Sequence, residues 1–486
     1  MLVMLEIFSI CYPALPEIIL MIGSVCVLFC PNINRVIQYI FVCALLGCTV
    51  CLLVYSKNVG PNNFQSWINL NANVTTFAGM FISDLSINTT KIMLCIWGLL
   101  YLLVVIHSKY FILSNHELFY TLAITLGSMI AFSANDFMLL FISIELISFS
   151  IIFLINKQCE NRAIFNIFIA YGAGSAFFLF GSALFYGIYQ TTNFTLLVEK
   201  LSFTKLTIME NPLIFFAITL VTFGLLAKML FCPFHKLYIA AVEKIDLPQF
   251  IFIVFLSNFV YFLIIIRLFV IFKCESFKII FLILGMLGMF AGFWGAFKQN
   301  IIKNIIALHT LGTTGMLFVG FFASYTNIIA SSLFIFIVLG LSILILLRGL
   351  LFIRKFDREL ITIKDLQFIK NEPLPATFTL GLGTLTFVNV PPFPGFIPFF
   401  IFAKNFVADC AYTTLYTIVL FKIISTLTGI NIVSSLVSSE NTKMSHTLTS
   451  SHVATLCACS TLIILTIYAE KVINLVTLVE TIFKGY

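Results

Sequence analysis

Two ionisable residues stand deep in apolar stretches, where a charge is costly to keep. Glu145 lies in the middle of the run Leu140-Phe-Ile-Ser-Ile-Glu145-Leu-Ile, and Lys228 comes five residues before Pro233. A charged side chain at the centre of a bilayer costs roughly 2.5–3.5 kcal/mol. An amine and a carboxylate that meet in such surroundings can load and release a proton, because desolvation favours their neutral forms and proximity favours their charged forms. The alternative is a static buried ion pair, which rarely adds net stability.

Five further bases are candidates for carrying protons. His235 either relays a proton at physiological pH or caps carbonyls freed by the nearby proline. Lys303 and His309 open a later apolar run, where a second unit would need proton carriers, although Lys303 equally fits an interfacial lysine whose amine reaches the membrane surface. Lys404 and Lys422 are the remaining deep bases, and Lys404 equally fits the outer end of its helix.

Proline interrupts two of the apolar runs. The first break centres on Pro233, and the second contains Pro391, Pro392, Pro394 and Gly395. Proline removes a backbone donor and clashes with the preceding helical turn. Unwound backbone inside a membrane is tolerated only where protein or water satisfies its freed polar groups. Each break therefore predicts a polar cavity within the membrane.

The composition requires a membrane protein. The 486 residues are 61% hydrophobic and 10% charged, with a mean hydropathy of +1.10. This composition excludes an ordinary soluble domain, and it excludes secretion and nucleic-acid binding as primary roles. A membrane-spanning helix needs about 20 apolar residues. The apolar runs predict an all-α polytopic protein with fourteen spans, near 14–30, 36–55, 87–107, 117–133, 137–156, 164–189, 212–232, 248–272, 279–297, 304–323, 327–352, 377–404, 412–437 and 453–476.

Metal and redox centres are not expected in this chain. Most of its thirteen cysteines fall inside apolar runs, where they serve as small buried hydrophobes. The one C-x-x-C, Cys48 to Cys51, lacks the second pair that a closed zinc site or an iron–sulfur cluster would need. We therefore expect no metal and no bound cofactor.

The spacing of the breaks predicts two inverted five-helix repeats, spans 4–8 and 9–13, with one broken helix in each (spans 7 and 12). The fourth and ninth spans open 162 residues apart, and the same offset carries Pro233 to Gly395. An inverted repeat with discontinuous helices is typical of secondary transporters. The alternative is a pair of unrelated proline kinks. The predicted units are an N-terminal three-helix segment, two five-helix units and a C-terminal helix, at 1–110, 111–275, 276–440 and 441–486.

Lysine and arginine predict the orientation in the membrane. The loops after odd-numbered spans carry about twice as many of them as the loops after even-numbered spans, so both termini are expected on the outer side. The abundance of Phe, Ile, Asn and Lys suits an A/T-rich organellar gene. This favours the mitochondrial inner membrane over a bacterial plasma membrane.

Five motifs, in order, resemble the antiporter-like membrane subunits of respiratory complex I, and among these the NADH dehydrogenase subunit 2 family. The resemblance covers about residues 80–405. The motifs are Ile144-Glu145-Leu-Ile-Ser-Phe-Ser150, the glycine-rich stretch Tyr171 to Gly187, Gly224-Leu-Leu-Ala-Lys228 followed by Pro233-Phe-His235, Asn300-Ile-Ile-Lys303-Asn-Ile-Ile-Ala, and Pro391-Pro392-x-x-Gly395-Phe.

This resemblance implies a part in proton translocation for Glu145 and Lys228. It also implies that NADH oxidation, flavin, iron–sulfur clusters and the quinone site belong to other subunits of the enzyme. The expected partners are membrane-arm subunits of complex I, including sister antiporter-like subunits, together with lipids. Subunits 4 and 5 and Na⁺/H⁺ antiporter complexes share the fold, but subunit 2 fits the motifs best.

The chain departs from the family pattern in its second half. Asn258 stands where the family usually has a lysine, Thr313 where it has a histidine, and Phe399 where it has a second lysine. Lys404 or Lys422 would then be the substitute. Three functions stay open: a proton-translocating subunit of complex I, a free-standing cation/proton antiporter, and a scaffold subunit that has lost transport.

Overall fold

The computed structural model describes most of the chain between residues 12 and 437. The described ranges are 12–29, 35–58, 74–106, 113–156, 161–203, 212–243, 245–272, 277–323, 326–353, 361–366 and 374–437. The span expected at 453–476 and the unit expected at 441–486 lie outside them. Within these ranges the chain is helical except for turns, isolated bridges and one short hairpin.

The described ranges contain one hairpin and a series of helices. The hairpin consists of β1 (Val74–Thr76) and β2 (Phe81–Ser83), which pair antiparallel. The first eight helices are α1 (Leu15–Phe29), α2 (Arg35–Asn58), α3 (Leu85–Ile106), α4 (Asn115–Ser133), α5 (Phe137–Ile155), α6 (Asn161–Tyr189), α7 (Phe194–Phe203) and α8 (Pro212–Lys228). The next eight are α9 (His235–Val242), α10 (Leu247–Phe272), α11 (Phe277–Met289, continued through a π-helical turn, Phe290–Trp294, into Gly295–Phe297), α12 (Ile302–Ala323), α13 (Thr326–Ile353), α14 (Leu374–Phe387), α15 (Phe396–Ala408) and α16 (Tyr412–Val437).

Many of these helices are suited to a bilayer. Eight of them are long and apolar enough to cross a membrane: 87–106, 137–155, 164–189, 247–272, 278–297, 302–321, 331–351 and 412–436. Five shorter apolar helices accompany them, at 15–29, 41–53, 212–228, 377–387 and 396–408. The predicted all-α, multi-pass membrane architecture is confirmed.

Two helices, α10 and α12, form the centre of the molecule. Every residue of α10 is buried except Arg267 and Val270, and α12 is buried along 302–321. Aromatic rings fill the space between these helices and α13, as in the pairs that Phe262 makes with Phe318 at 5.2 Å and with Phe336 at 5.0 Å. Because lipid is as apolar as this core, close packing holds the helices together rather than escape from water.

Glycines let helices α6 and α8 approach backbone to backbone. A Cβ on Gly224 would lie 2.6 Å from the carbonyl oxygen of Gly174, and a Cβ on Gly174 would lie 2.8 Å from that of Gly224. No larger residue fits either position without moving a helix. Lys228 comes one turn after Gly224, so this crossing sets the distance of its side chain from α6.

The turn before α5 fixes where that helix begins. The carboxylate of Asp136 accepts a hydrogen bond from the backbone N–H of Met138 at 2.7 Å and another from the hydroxyl of Thr192 at 2.7 Å. This N-cap satisfies a free donor of the first turn. Glu145 then falls a little over two turns inside the helix.

Both proline segments interrupt helices. The first break separates Lys228, the last residue of α8, from His235, the first residue of α9, and the second separates Phe387 of α14 from Phe396 of α15. Each contains a non-glycine residue with positive φ, Leu230 at 51° and Asn389 at 61°. Such residues are uncommon and are held in place by their surroundings.

Gly395 closes the second break against the end of α14. A Cβ at this position would lie 1.9 Å from the carbonyl oxygen of Thr386 and 2.7 Å from Oδ1 of Asn389. Any side chain here would push α15 away from α14. The exposed prolines Pro391 and Pro392 stand at the outside of the same turn, and Pro394 is half-buried.

Candidate functional site

The structure brings Glu145 and Lys228 into direct contact. Nζ of Lys228 donates a hydrogen bond to Oε1 of Glu145 at 2.8 Å and a second to Oγ of Ser148 at 3.1 Å. The side chain of Lys228 is 1% exposed and that of Glu145 is 20% exposed. The pair therefore joins α5 to the last residue of α8, beside unwound backbone.

Hydroxyl groups and an aromatic ring complete this first cluster. The hydroxyl of Ser175 donates to Oε1 of Glu145 at 2.5 Å, and the ring of Tyr171 lies 5.7 Å from the Lys228 ammonium. On the other side of Lys228, Oγ of Ser148 is 3.5 Å from the hydroxyl of Tyr261 on the central helix α10. Protons can move through such a row of hydroxyl, amine and carboxylate groups by short exchanges.

Sequence reasoning missed the partners of the pair. Ser148 follows Glu145 by three residues and so lies on the same helical face, which is a usable signal. Ser175 and Tyr171 belong to α6, whose glycine-rich, uniformly apolar sequence does not reveal which face meets Glu145.

A small cavity lies next to the cluster on the side of the break. It has a volume of about 20 Å³, and its lining includes Tyr171, Met229, Leu230, Ile245 and Ser257. A water needs roughly 10–15 Å³ of such volume together with polar partners, and Tyr171 and Ser257 carry the polar side chains of an otherwise apolar lining. The cavity extends from the cluster toward the C-terminal end of α5 and the connection between α9 and α10.

His235 opens α9 at the far end of the break from Lys228. It is half-buried, and the exposed Lys236 follows it. The histidine is thus placed where the broken helix resumes, between the buried pair and one end of the molecule.

Lys303 holds the connection between α9 and α10. Its buried amine donates to the carbonyl oxygen of Ile245 at 2.6 Å and to that of Glu243 at 3.3 Å. The neighbouring Asn304 donates to Oε1 of Glu243 at 2.7 Å. The start of α12 is therefore fastened to the segment that follows the first break.

His309 belongs to a second buried cluster. Its Nε2 is 2.8 Å from Oγ of Ser425 on α16. The ring of Phe387, the last residue before the second break, lies 4.2 Å from the His309 ring and is tilted by 38° to it. Lys422, one turn before Ser425, is 4% exposed, and its amine lies 5.4 Å from the centre of the Phe293 ring. Electrostatic interaction links Lys422 to His309. A further cavity of about 20 Å³ is lined in part by His309.

The two clusters have related positions. Lys228 ends α8 at the first break and contacts Glu145 on α5, whereas Phe387 ends α14 at the second break and contacts His309 on α12. The first break thus begins after a lysine and the second after a phenylalanine. In the second cluster, Lys422 supplies an amine from a different helix.

The structure also places the other residues that the sequence analysis singled out. Lys404 is exposed on α15, which fits the alternative of an interfacial lysine. Asn258 donates to the carbonyl of Val254 in its own helix at 2.7 Å, and Thr313 donates to that of Thr310 at 2.7 Å. Phe399 is buried and lies 5.6 Å from the Lys422 amine. Among the described residues, no group of three or more His, Cys, Asp or Glu side chains could hold a metal ion.

Comparisons with known proteins identify the family of the chain. The family described as NADH:quinone oxidoreductase/Mrp antiporter, transmembrane, matches residues 134–428. The chain is 26% identical to NADH-quinone oxidoreductase subunit N of Nitrosomonas europaea over 79% of either chain. It is also 26% identical to NAD(P)H-quinone oxidoreductase subunit 2 of Synechocystis, over 64% of this chain and 60% of that protein.

A solved structure shares the fold. A chain of respiratory complex I from Thermus thermophilus superposes with a TM-score of 0.74 at 15% identity, covering 94% of this chain and 98% of that one. The resemblance inferred from the five motifs is confirmed. The family match includes Glu145, Lys228, His309 and Lys422, and it spans more than half of the sequence, so the chain belongs to the NADH:quinone oxidoreductase/Mrp antiporter transmembrane family.

Proposed function

We propose that the chain is an antiporter-like membrane-arm subunit of an NADH:quinone oxidoreductase and takes part in its proton translocation. The observation that carries this proposal is the contact between Lys228 and Glu145 at 2.8 Å beside unwound backbone. Its family supports the assignment to the complex. Other membrane-arm subunits, including sister antiporter-like subunits, and lipids would be the neighbours.

The first cluster can hold and pass on one proton. A proton that moves from Nζ of Lys228 to Oε1 of Glu145 converts two buried charges into two neutral groups, which lessens the cost of keeping both away from water. Water in the adjoining cavity would then supply a proton to the amine or accept one from the carboxyl. The hydroxyl of Ser148 stays within reach of the amine in both states.

The second cluster would serve as a further proton-carrying station. His309, Ser425 and Lys422 form its core. The family usually has lysines at the positions of Asn258 and Phe399, and Lys422 would supply the amine in their place. Lys303 would act by fastening the two units together, because its amine is committed to backbone carbonyls. Lys404 would be an interfacial residue, and His235 would lie on the route between the first cluster and water.

The architecture that we propose has fourteen spans with two inverted five-helix repeats. The boundaries would be those inferred from the sequence, 1–110, 111–275, 276–440 and 441–486. The breaks after Lys228 and Phe387 support this proposal, since each contains a positive-φ residue near a proline. The termini would face the outer side of a mitochondrial inner membrane, or of a bacterial plasma membrane. The chain itself would perform no redox chemistry.

The experiment is proton uptake by vesicles that contain the assembled complex and oxidise NADH. Lys228→Met and Glu145→Gln should lower the number of protons taken up per NADH oxidised, while NADH oxidation with an artificial electron acceptor continues. Lys298→Met, at an exposed lysine, is the matched control. If Lys228→Met left proton uptake unchanged, the chain would be a scaffold.

A free-standing cation/proton antiporter is the second candidate, because the family description includes the Mrp antiporter. Under that function the isolated chain in liposomes would exchange Na⁺ for protons without partner subunits. We expect no such flux from the isolated chain. Its appearance would favour the antiporter.

A further inference from the structure

A second buried pair of opposite charges lies in the N-terminal helices, apart from both clusters. Nζ of Lys91 on α3 is 2.5 Å from Oε1 of Glu17 on α1. Lys91 is fully buried and Glu17 is 5% exposed. The ring of Phe81, from the hairpin, lies 5.0 Å from the Lys91 amine and covers it. Both residues precede the stretch that matches the family.

This pair is built from the same parts as the Glu145–Lys228 pair. In each, a lysine on one helix contacts a glutamate on another, and an aromatic ring lies within about 6 Å of the amine, the range of a cation–π interaction. Glu17 stands in the first turn of α1, where the helix dipole also favours a carboxylate. Neither Glu17 nor Lys91 was among the sites expected from the sequence.

A static role explains the pair poorly. Removing two charges from water costs several kcal/mol for each ion, and well-packed apolar residues of similar volume are often as stable or more stable. Ionisable residues at membrane depth are by default candidates for a functional site. The question is then whether a proton can reach the pair.

A cavity along α3 offers the route. It has a volume of about 30 Å³ and is lined in part by Asp84, Ile87, Thr90 and Arg267. Asp84, Ile87 and Lys91 are spaced three and four residues apart, so they follow one face of the helix, with Lys91 one turn deeper. The volume suffices for about two water molecules, each of which needs roughly 10–15 Å³. Asp84 and Arg267 make this cavity polar enough to hold them.

The other neighbours of the pair are mostly uncharged. Cys95 follows Lys91 by one turn, and its thiol interacts electrostatically with both charges. Helix α2 brings Thr49 to within 3.7 Å of the Cys95 sulfur, and α4 brings Met129 to the same distance. Among the described residues in these contacts, Asp84 and the Cys95 thiol are the further titratable groups.

We propose that Glu17 and Lys91 form an additional proton-binding site that exchanges with water in the Asp84 cavity. The proton moves from Nζ of Lys91 to Oε1 of Glu17, which leaves both groups neutral. Lys91 then takes up a proton from water in the Asp84 cavity, and the carboxyl of Glu17 releases its proton to water in the same cavity. One proton enters and one leaves, so charge and atoms balance. The site functions independently of Glu145 and Lys228.

The test is infrared difference spectroscopy of the assembled complex after a rapid change of pH. We expect a carboxyl C=O band that shifts in D₂O and is lost in Glu17→Gln. The band should be retained in Glu199→Gln, which alters an exposed glutamate. Asp84→Asn should slow the appearance of the band. This readout does not depend on proton pumping, so it stands even if the proposed function fails.

A second variant guards against misfolding. Glu17→Gln or Lys91→Met alone leaves a buried charge or polar group without its partner, whereas the double variant Glu17→Gln/Lys91→Met leaves no buried charge. The double variant should assemble and lack the band. If wild-type and double-variant spectra are the same, Glu17 and Lys91 are a static pair. If Asp84→Asn leaves the rate unchanged, the assigned route is wrong.

Discussion

At the scale of single residues, the Lys228 amine depends on two acceptors that differ in kind. Glu145 can take its proton, whereas Ser148 only supports the amine by a hydrogen bond of 3.1 Å. Away from bulk water, an amine that loses one acceptor has few polar groups to replace it. The serine is therefore a positioning residue whose removal should weaken the cluster without abolishing it.

The first prediction concerns Ser148→Ala. A hydrogen bond to a charged group contributes about 1.5–3 kcal/mol, so we expect the complex to unfold at lower temperature and proton uptake to slow, though less than in Lys228→Met. Ser150→Ala is the matched control, because Ser150 donates to the carbonyl of Leu146 in its own helix. Thermal unfolding and NADH-driven proton uptake are the measurements. Equal effects of the two alanines would contradict the role given to Ser148.

The second prediction distinguishes Lys422 from Lys404. The sequence analysis left these two lysines as alternative substitutes for the base that the family usually has in its second half. Lys422 is 4% exposed and stands one turn from the Ser425 hydroxyl that meets His309, whereas Lys404 is exposed. Lys422→Met should lower the number of protons taken up per NADH, and Lys404→Met should leave it unchanged. The two variants remove the same charge and differ only in place. The reverse outcome would assign the second station to Lys404.

At the scale of helices, the sites depend on helix crossings where the two backbones are too close to admit a larger side chain. Gly174 and Gly224 bring α6 and α8 together, with Lys228 one turn beyond the contact. The polar atoms of the first cluster come from α5, α6, α8 and α10, so a shift of one helix changes several distances together. Because the interfaces between packed membrane helices are close-packed, they contain no empty space that could absorb a small displacement of one helix.

The third prediction follows from this crossing. Gly224→Ala places a methyl group 2.6 Å from a backbone oxygen, so α8 must move away from α6 and carry Lys228 with it. Overpacking of this kind costs about 1–3 kcal/mol. We expect a lower thermal unfolding temperature together with reduced proton uptake. Gly172→Ala is the control on α6, because a methyl group there meets nothing within 4 Å. Loss of uptake in Gly172→Ala as well would contradict the argument.

Sequence reasoning located the helix breaks and the charges but not the neighbours of the charges. A proline or a charge at membrane depth can be recognised from the neighbouring sequence alone, which is why Pro233 and Glu145 could be singled out. Which helix faces which depends on polarity differences around a helix, and a bilayer erases them, since lipid-facing and buried residues are equally apolar. Phe262 in the centre and Phe165 on the outside are chemically the same. Ser175 was missed for this reason. Lys91, a charge within an apolar run, was not singled out although it can be recognised in the same way as Glu145.

At the scale of the whole molecule, the buried centre joins the two clusters. Tyr261 on α10 contacts the first cluster through Ser148, and α12 carries His309 of the second. Lys303, at the start of α12, holds the carbonyl of Ile245, which also lines the cavity beside Lys228. The two clusters are thus connected by adjoining helices that are buried along nearly all of their length.

This connection favours one proton path with two stations over two separate paths. The test is the double variant Glu145→Gln/Lys422→Met, compared with each single variant by proton uptake per NADH. Stations in series act as a unit, so the double variant should be no worse than the worse single variant. On separate paths each single variant would keep part of the uptake and the double variant would lose the sum of both parts. The control is the double variant Glu145→Gln/Ser150→Ala, which also carries two substitutions. It distinguishes general destabilisation from the effect of the second station.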